Sequence, residues 1–242
     1  MVPLMPAVVH LRHAVALAGR FPVLAGVDLD ASAGEVVVLA GANGAGKTSV
    51  LRACAGLLAL TGGDAVVLGC DLRHDQVAVR RRVGLLGHAA ALYDDLTVVE
   101  NVRFAVRAAG GDRAAVDDAL ERADLTGRLR RTPVGRLSAG QRRRVDLAAL
   151  IARRPELWLL DEPHASLDVA GRALIDDIVR AASAGGAAVL IASHELDVAL
   201  PLAHQVVTLA GGRVVDTQAR VVPAGGPPQV VPADHQVGAH VA

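Results

Sequence analysis

The chain has 242 residues with 25 basic and 25 acidic side chains, so its formal net charge at neutral pH is zero. That length suffices for one large α/β domain or for a core domain with a smaller insert, and the balanced charge gives no reason to expect a nucleic-acid partner. No uninterrupted apolar run reaches the roughly 18 residues of a membrane-spanning helix, so we expect any membrane association to depend on another protein.

The start of the chain and its cysteines indicate the cellular compartment of the protein. The first 20 residues look like a signal peptide at first sight, but they lack a basic start, and His10, Arg12 and His13 interrupt the apolar stretch. We therefore predict a first strand there. Cys54 and Cys70 are the only cysteines and have no metal-ligand spacing, which fits a reducing, cytoplasmic compartment.

Three short apolar runs predict buried strands. Residues 36–40 lead into a glycine-rich loop, after which residues 48–60 have helical spacing. Residues 157–160 and 187–192 are further strand candidates, and residues 168–184 between them have an apolar face at the helical period. Strand, helix and strand in this order predict a parallel sheet.

The remaining regions have other patterns. From about residue 87 to residue 154 the spacing is mainly helical, with a capping box from Thr97 to Glu100. After Asp216 the chain is rich in proline, glycine and alanine, with too little patterned apolar surface to pack. We predict a core of residues 1–87 and 155–216, a helical subdomain at 88–154 and a disordered tail at 217–242.

The glycine-rich loop predicts a nucleotide site. Residues 41–48 fit the pattern G-x-x-x-x-G-K-[ST] between a strand and a helix, where backbone N–H groups and the helix N-terminus can surround phosphates. Lys47, the single lysine of the chain, is expected to reach the β- and γ-phosphates, and Thr48 to hold Mg²⁺. The alternative is a glycine-rich turn before an ordinary helix. The predicted ATP-binding residues here are Gly41, Asn43, Gly44, Ala45, Gly46, Lys47, Thr48 and Ser49.

Two acids end the strand at residues 157–160. Asp161 and Glu162 would lie at the carboxyl edge of a parallel sheet, where ligands bind. We expect Asp161 to hold Mg²⁺, directly or through water, and Glu162 to orient or deprotonate the water that attacks ATP. The alternative is that this acid pair only caps the next helix.

Residues 137–141, Leu-Ser-Ala-Gly-Gln, resemble the signature of ATP-binding-cassette (ABC) proteins and precede the two acids in the order of that family. Ser138 and Gln141 also fit a capping box, so a purely local role is the alternative. Gly140 would weaken a first helical turn, which indicates close approach of another group to the backbone. The resemblance implies that Ser138 and Gly140, next to Gln141, contact the γ-phosphate held by a second subunit, and that the protein acts as a dimer.

Four further positions are similar to functional residues of the family. Asp168 ends a stretch like the loop between two facing sites, and His194 follows a strand as the γ-phosphate-contacting histidine does. Phe21 is similar in position to the aromatic residue that stacks on adenine, although it could instead be a core residue. His88 stands where the family usually has glutamine, and a surface loop histidine is the alternative reading there.

The resemblance covers about residues 7 to 215 and implies a P-loop NTPase fold, with a parallel-sheet ATP-binding core and an inserted helical subdomain. It also implies an ATPase subunit on the cytoplasmic face of the cell membrane, which pairs with a second ATP-binding subunit as a homodimer and works with separate membrane permease subunits. A soluble ABC ATPase acting on nucleic acid or ribosomes and a scaffold that no longer hydrolyses ATP are the alternatives.

Within the family, three stretches are similar to the haem-exporter subfamily of cytochrome c maturation. They are residues 137–145, the pair Gly87–His88, and Trp158 in the acid-bearing strand, whereas Ala89 departs from the subfamily pattern. The resemblance implies support of haem export, with another small-molecule exporter as the alternative. Because the chain has no C-x-x-C-H motif, we do not expect it to bind haem directly.

Overall fold

A computed structural model describes residues 7–87, 92–165, 167–221 and 229–230. Its strands are β1 Ala7–Ala18, β2 Phe21–Ser32, β3 Val36–Ala40, β4 Gly62–Val67, β5 Cys70–Asp71, β6 Val83–Leu86, β7 Leu157–Asp161, β8 Ala188–Ala192, β9 Gln205–Ala210, β10 Arg213–Val221 and β11 Gln229–Val230. Its α-helices are α1 Lys47–Cys54, α2 Gln76–Arg82, α3 Val98–Ala108, α4 Ala115–Arg122, α5 Ala139–Arg153, α6 Val169–Ala184 and α7 Leu196–Ala199. Short 3₁₀ helices span Gly127–Arg131, Val134–Arg136 and Leu200–Leu202.

The larger sheet has the order β11-β10-β9-β3-β8-β7-β6, and its strands from β9 to β6 pair in parallel. All five residues of β3, β7 and β8 are buried. Alternate residues of β3 enter two hydrophobic clusters, with Val36 and Val38 on one face and Val37 and Leu39 on the other. Burial on both faces explains why these strands are continuous apolar runs, and it confirms the predicted parallel sheet.

A second sheet, with the order β2-β1-β4-β5, is antiparallel. It packs with α1 against one face of the larger sheet, through residues such as Leu11, Leu24 and Leu51. The predicted first strand is therefore present as β1. The sequence analysis did not foresee the sheet around it, because β1 pairs with a strand that lies far along the chain. The paired residues run from Val9 with Val67 to Val15 with Gly62, and such distant pairing leaves no local signal.

The helices between β6 and β7 pack on the opposite face. Val102 of α3, Leu120 of α4 and Val145 of α5 belong to one cluster with Leu86 and Trp158 of the sheet. The predicted capping box opens α3, since the Thr97 hydroxyl accepts from the Glu100 N–H and the Glu100 carboxylate accepts from the Thr97 N–H. No helix in the described part of the chain is long and apolar enough to cross a membrane.

Two predicted boundaries are wrong. The helix predicted to reach residue 60 ends at Cys54, because Gly56 has a φ of +65° and turns the chain away. Residues 217–221, which the sequence analysis placed in a disordered tail, belong to β10, because Thr217 and Gln218 pair with β9 and the strand continues to Val221. Backbone hydrogen bonds to a neighbouring strand hold this segment although its sequence lacks a strong apolar pattern.

Candidate ATP-binding and hydrolysis site

The glycine-rich loop borders a cavity of about 650 Å³ at the carboxyl edge of the parallel sheet. A Cβ at Gly41 would lie 2.3 Å from the Leu209 carbonyl oxygen, and one at Gly46 would lie 2.9 Å from that of Val23. Both glycines also have positive φ angles. The loop therefore requires glycine at these two positions to fold tightly beside the strands. The cavity is lined by Pro22, Val23, Asn43, Gly44, Ala45, Gly46, Lys47, Thr48, Ser49, Asp161, Glu162, His194, Gly211 and Gly212.

Lys47 begins α1 and is only 7% exposed. Its ammonium donates to the carbonyl oxygens of Gly41 at 2.6 Å and Ala42 at 3.2 Å. In the part of the chain that the structure describes, all its hydrogen bonds go to neutral carbonyl groups. A cation at a cavity with no paired anion provides a strong local attraction for phosphate.

Thr48 and Asp161 meet at the base of the cavity. The Thr48 hydroxyl lies 3.0 and 3.1 Å from the two carboxylate oxygens of Asp161, which is 7% exposed at the end of β7. One hydroxyl and one carboxylate give only oxygen donors on one side of the cavity. This donor set fits Mg²⁺, which prefers one or two protein oxygens together with phosphate and water.

Glu162 and His194 are in direct contact at the cavity. His194 Nδ1 lies 2.8 Å from Glu162 Oε1, and the His194 N–H donates to Glu162 Oε2 at 3.3 Å. The Glu162 N–H donates to the Ala192 carbonyl at 2.9 Å. Glu162 does not cap α6, since that cap is Asp168, whose carboxylate accepts from the Gly171 N–H at 2.8 Å. The helix-capping alternative for the acid pair is therefore wrong for Glu162.

The signature residues lie outside the cavity. Ser138 and Gln141 form the predicted capping box at the start of α5. A Cβ on Gly140 would meet only Leu167 Cδ2, at an ordinary 3.8 Å. Nothing described within this chain therefore requires glycine at position 140, unlike positions 41 and 46.

The remaining predicted residues divide into three cases. Phe21 is 78% exposed, so the core alternative is wrong, and its neighbours Pro22 and Val23 line the cavity although Phe21 does not. Asp168 lies outside the cavity as the cap of α6. His88 lies outside the described residues.

The sequence analysis missed Gly211 and Gly212, which line the cavity from the turn between β9 and β10. The Gly212 N–H donates to the Ala45 carbonyl at 2.9 Å and thereby fixes this turn to the phosphate loop. A glycine pair between two apolar runs is a recognisable hairpin signal, but it does not tell which loop the hairpin touches.

A family model described as "ABC transporter" matches residues 24–165. The chain belongs to the ABC transporter family. This membership confirms the predicted family, the P-loop NTPase fold with its parallel sheet, and the assignment as an ATP-binding, ATP-hydrolysing protein.

Individual relatives give a finer comparison. The cytochrome c biogenesis ATP-binding export protein CcmA of Rhodopseudomonas palustris is 44% identical over 176 residues, which are 73% of this chain and 86% of that protein. The daunorubicin resistance ATP-binding protein DrrA3 of Streptomyces coeruleorubidus is 41% identical over 196 residues, 79% of this chain and 62% of that one. The chain is thus similar both to a protein named for export in cytochrome c biogenesis and to one named for daunorubicin resistance.

Solved structures share the fold. The structure of an ATP-binding subunit of an ABC transporter matches with a TM-score of 0.81 and 26% identity, over 88% of this chain and 90% of that one. The dimeric post-hydrolysis cassette MJ0796 bound to ADP and Pi matches with a TM-score of 0.80 and 24% identity, over 87% and 98%. At 24% identity, the similarity to the dimeric cassette supports the fold alone.

Proposed function

We propose that this chain is the ATPase subunit of a transporter and that Glu162 activates water at the cavity beside the phosphate loop. The observation that carries this proposal is the placement of the Glu162 carboxylate at the same cavity as Lys47 and Thr48, oriented by two contacts from His194. Phosphoryl transfer depends on such positioning and on charge stabilisation.

The phosphate loop binds the triphosphate. Lys47 meets the β- and γ-phosphates with its ammonium, while N–H groups of residues 43–49 at the start of α1 face the negative oxygens. Thr48 and Asp161 hold Mg²⁺, which when bound neutralises part of the phosphate charge. Phe21, exposed beside the cavity, stacks on the adenine ring.

Hydrolysis then requires only one proton acceptor. Glu162 accepts a hydrogen bond from water, the water oxygen attacks the γ-phosphorus, and the bond to the β-phosphate oxygen breaks to leave ADP. The proton of the water passes to Glu162 and from there to the phosphate product. In this arrangement the His194 ring exchanges its contact with Glu162 for one with the γ-phosphate, to which its ring N–H donates, while the His194 backbone N–H keeps its bond to the Glu162 carboxylate.

Two copies complete the site. Ser138, Gly140 and Gln141 lie outside the cavity of their own chain, and a Cβ on Gly140 would make only an ordinary contact with Leu167 at 3.8 Å. We infer that this turn covers the γ-phosphate bound to a second copy, with the Asp168 loop between the two sites. The dimer binds membrane permease subunits on the cytoplasmic face, where His88 takes part in coupling.

The test uses Glu162→Gln in the full chain. The amide keeps the size of the side chain but cannot accept the proton, so we expect ATP binding within about twofold of the unmodified protein, accumulation of an ATP-bound dimer, and turnover reduced by about 10²–10³-fold. Asp177→Asn is the matched control, because Asp177 is an exposed carboxylate on α6 that pairs with Arg180. Unreduced turnover of Glu162→Gln would show that Glu162 is not the base.

We propose further that the transporter supports haem export for cytochrome c maturation. Support comes from the 44% identity to a cytochrome c biogenesis export protein and from the subfamily pattern at residues 137–145, Gly87–His88 and Trp158. The similarity to a daunorubicin resistance protein favours a different small-molecule export as the second candidate.

The two exports are distinguished in cells that carry Glu162→Gln as their only copy. Haem delivery predicts loss of covalent haem on c-type cytochromes, while tolerance of daunorubicin-like compounds stays unchanged. Normal c-type cytochromes together with lost drug tolerance would support the second candidate. The ATPase assignment is independent of either result, because it is measured on the purified protein.

A further inference from the structure

Arg143 joins three parts of the site from the signature helix α5. Its guanidinium donates to the carbonyl oxygens of Asp161 at 2.8 Å and Glu162 at 3.0 Å. It also donates to the carbonyl oxygen of Gly87, directly after β6. One side chain thus connects α5 with the backbone of both acids and with the residue before His88.

These contacts are unusual for an arginine. In the described part of the chain all hydrogen bonds of Arg143 go to backbone carbonyls, and its Nε is buried without a partner. Burial lowers the pKa of the guanidinium, against the raising effect of the Asp146, Asp161 and Glu162 carboxylates. A charge in such a place costs stability. Its presence there indicates that its geometry serves another purpose.

Glu162 has a backbone conformation that needs support from its surroundings. Its φ of +47° lies in the left-handed region, which is rare for a residue with a side chain and persists only where surrounding contacts enforce it. The Ala192 carbonyl holds its N–H, and Arg143 holds its carbonyl oxygen and that of the preceding residue. Arg143 therefore supplies two of the contacts that define the direction of the Glu162 side chain.

We propose that Arg143 is a positioning residue for ATP hydrolysis, which fixes the Glu162 backbone in its left-handed conformation and sets the orientation of the signature helix relative to the acid-bearing strand. This inference rests on the proposed role of Glu162. It adds that the signature turn and the catalytic carboxylate of one chain are connected by one side chain. Substitution of Arg143 should displace the Glu162 carboxylate and leave the phosphate loop unchanged.

The chain contains a matched control. Arg153 lies on the same helix and donates to the Val83 carbonyl at 3.0 Å at the other end of β6. Its Nε is also buried and has no partner among the described residues. Burial lowers its pKa as well. Arg153 shares the helix, the burial and the type of partner with Arg143, but it does not contact the acid-bearing loop.

The experiment measures ATP affinity, kcat, ATP-dependent dimer formation and melting temperature of the full chain for Arg143→Gln and Arg153→Gln. We expect Arg143→Gln to lower kcat by about 10–100-fold, as for a base displaced by roughly 1 Å, with ATP affinity within about twofold. Its ATP-bound dimer should accumulate as that of Glu162→Gln does. Arg153→Gln should lower the melting temperature to a similar degree and leave kcat within about twofold.

Two further variants keep the test decisive. Arg143→Lys preserves the charge but lacks the planar fork, so we expect a soluble protein with partial loss of kcat even where Arg143→Gln folds poorly. In the Glu162→Gln background, Arg143→Gln should cause no further loss of turnover, since the group it positions is already gone.

The outcomes separate the two proposals. Retained turnover in Glu162→Gln overturns the base assignment and with it this inference. If Glu162→Gln is slow but Arg143→Gln and Arg143→Lys behave like Arg153→Gln, with only stability changed, Glu162 remains the base and the positioning role of Arg143 is overturned. A loss of ATP affinity equal to the loss of kcat would likewise overturn it, because that result indicates a general structural defect.

Discussion

The phosphate loop and the signature turn are both glycine-containing segments at helix N-termini, yet their glycines have different surroundings. At Gly41 and Gly46 the chain itself forbids a Cβ, because carbonyl oxygens of neighbouring strands lie 2.3 and 2.9 Å from the place it would occupy. At Gly140 only Leu167 is near, at 3.8 Å. The described part of the chain therefore requires glycine in the first segment, whereas in the second it leaves room for a methyl group at Gly140.

This difference indicates whether each segment contacts ATP within its own chain or in a second copy. The loop around Lys47 packs on its own strands and borders a cavity, so under the proposed function we expect one chain to suffice for binding the triphosphate. The turn at Ser138 satisfies its own backbone through a capping box, and it lies outside the cavity of its own chain. We infer that the binding of ATP and its hydrolysis differ in their need for a second copy, and the following variants test that distinction.

The largest effect is expected from Lys47→Ala. Loss of the ammonium removes charge-assisted hydrogen bonds to phosphate, worth about 1.5–3 kcal/mol each, so ATP affinity should fall by roughly 10²–10⁴-fold for two such bonds. Equilibrium binding of a fluorescent ATP analogue to a dilute, monomeric sample measures this. Unchanged affinity would contradict the phosphate-loop assignment.

Asp146 tests the burial of the helix that carries the signature turn. Burial raises the pKa of its carboxyl to about 6, against the lowering effect of Arg143 and Arg142. A folded-state value above the unfolded one means that the folded chain binds more protons between about pH 4 and pH 6, so stability falls as pH rises through that window. We expect a contribution of about 1–3 kcal/mol to the free energy of unfolding, present below about pH 4 and lost above about pH 6.

The check is the pH dependence of urea unfolding for Asp146→Asn beside the unmodified chain. The variant should lack this part of the decline and be more stable near pH 7. Parallel curves for the two proteins between pH 4 and pH 7 would show that the carboxyl is not buried as described.

Gly140→Ala should move stability and activity in opposite directions. In a helical first turn with room for a methyl group, alanine should raise the free energy of unfolding by about 0.5–1 kcal/mol. The same methyl group would face the nucleotide of the second copy, so turnover and ATP-dependent dimer formation should fall about tenfold or more. Lower stability with unchanged turnover would contradict the inference that Gly140 has room for a methyl group and contacts the nucleotide of a second copy.

The smallest effect concerns His88. If this histidine replaces the usual glutamine, His88→Ala should leave ATP binding unchanged and reduce chiefly the stimulation of turnover by the permease, by a few-fold, as for one lost polar contact of about 1 kcal/mol. His88→Gln should be tolerated. Equal loss of basal and stimulated turnover would indicate a catalytic or structural role instead.

The sequence by itself determined the features whose physical cause is local. The motif at residues 41–48, the capping boxes at Thr97 and Ser138, and the buried strand at residues 36–40 each depend on neighbours within a few residues, and each is present in the structure. Continuous apolar runs predicted the parallel sheet, because burial on both faces leaves no position for polar side chains.

Tertiary structure alone decided the features that join distant segments. The antiparallel pairing of β1 with β4, the contact of Gly212 with Ala45, and the bonds from Arg143 to the Asp161 and Glu162 carbonyls connect residues with no fixed sequence spacing. An arginine at position 143 looks like part of a solvated basic run in the sequence. Only the packing of α5 against the carboxyl ends of β6 and β7 buries it, since burial depends on what the fold brings to the other side.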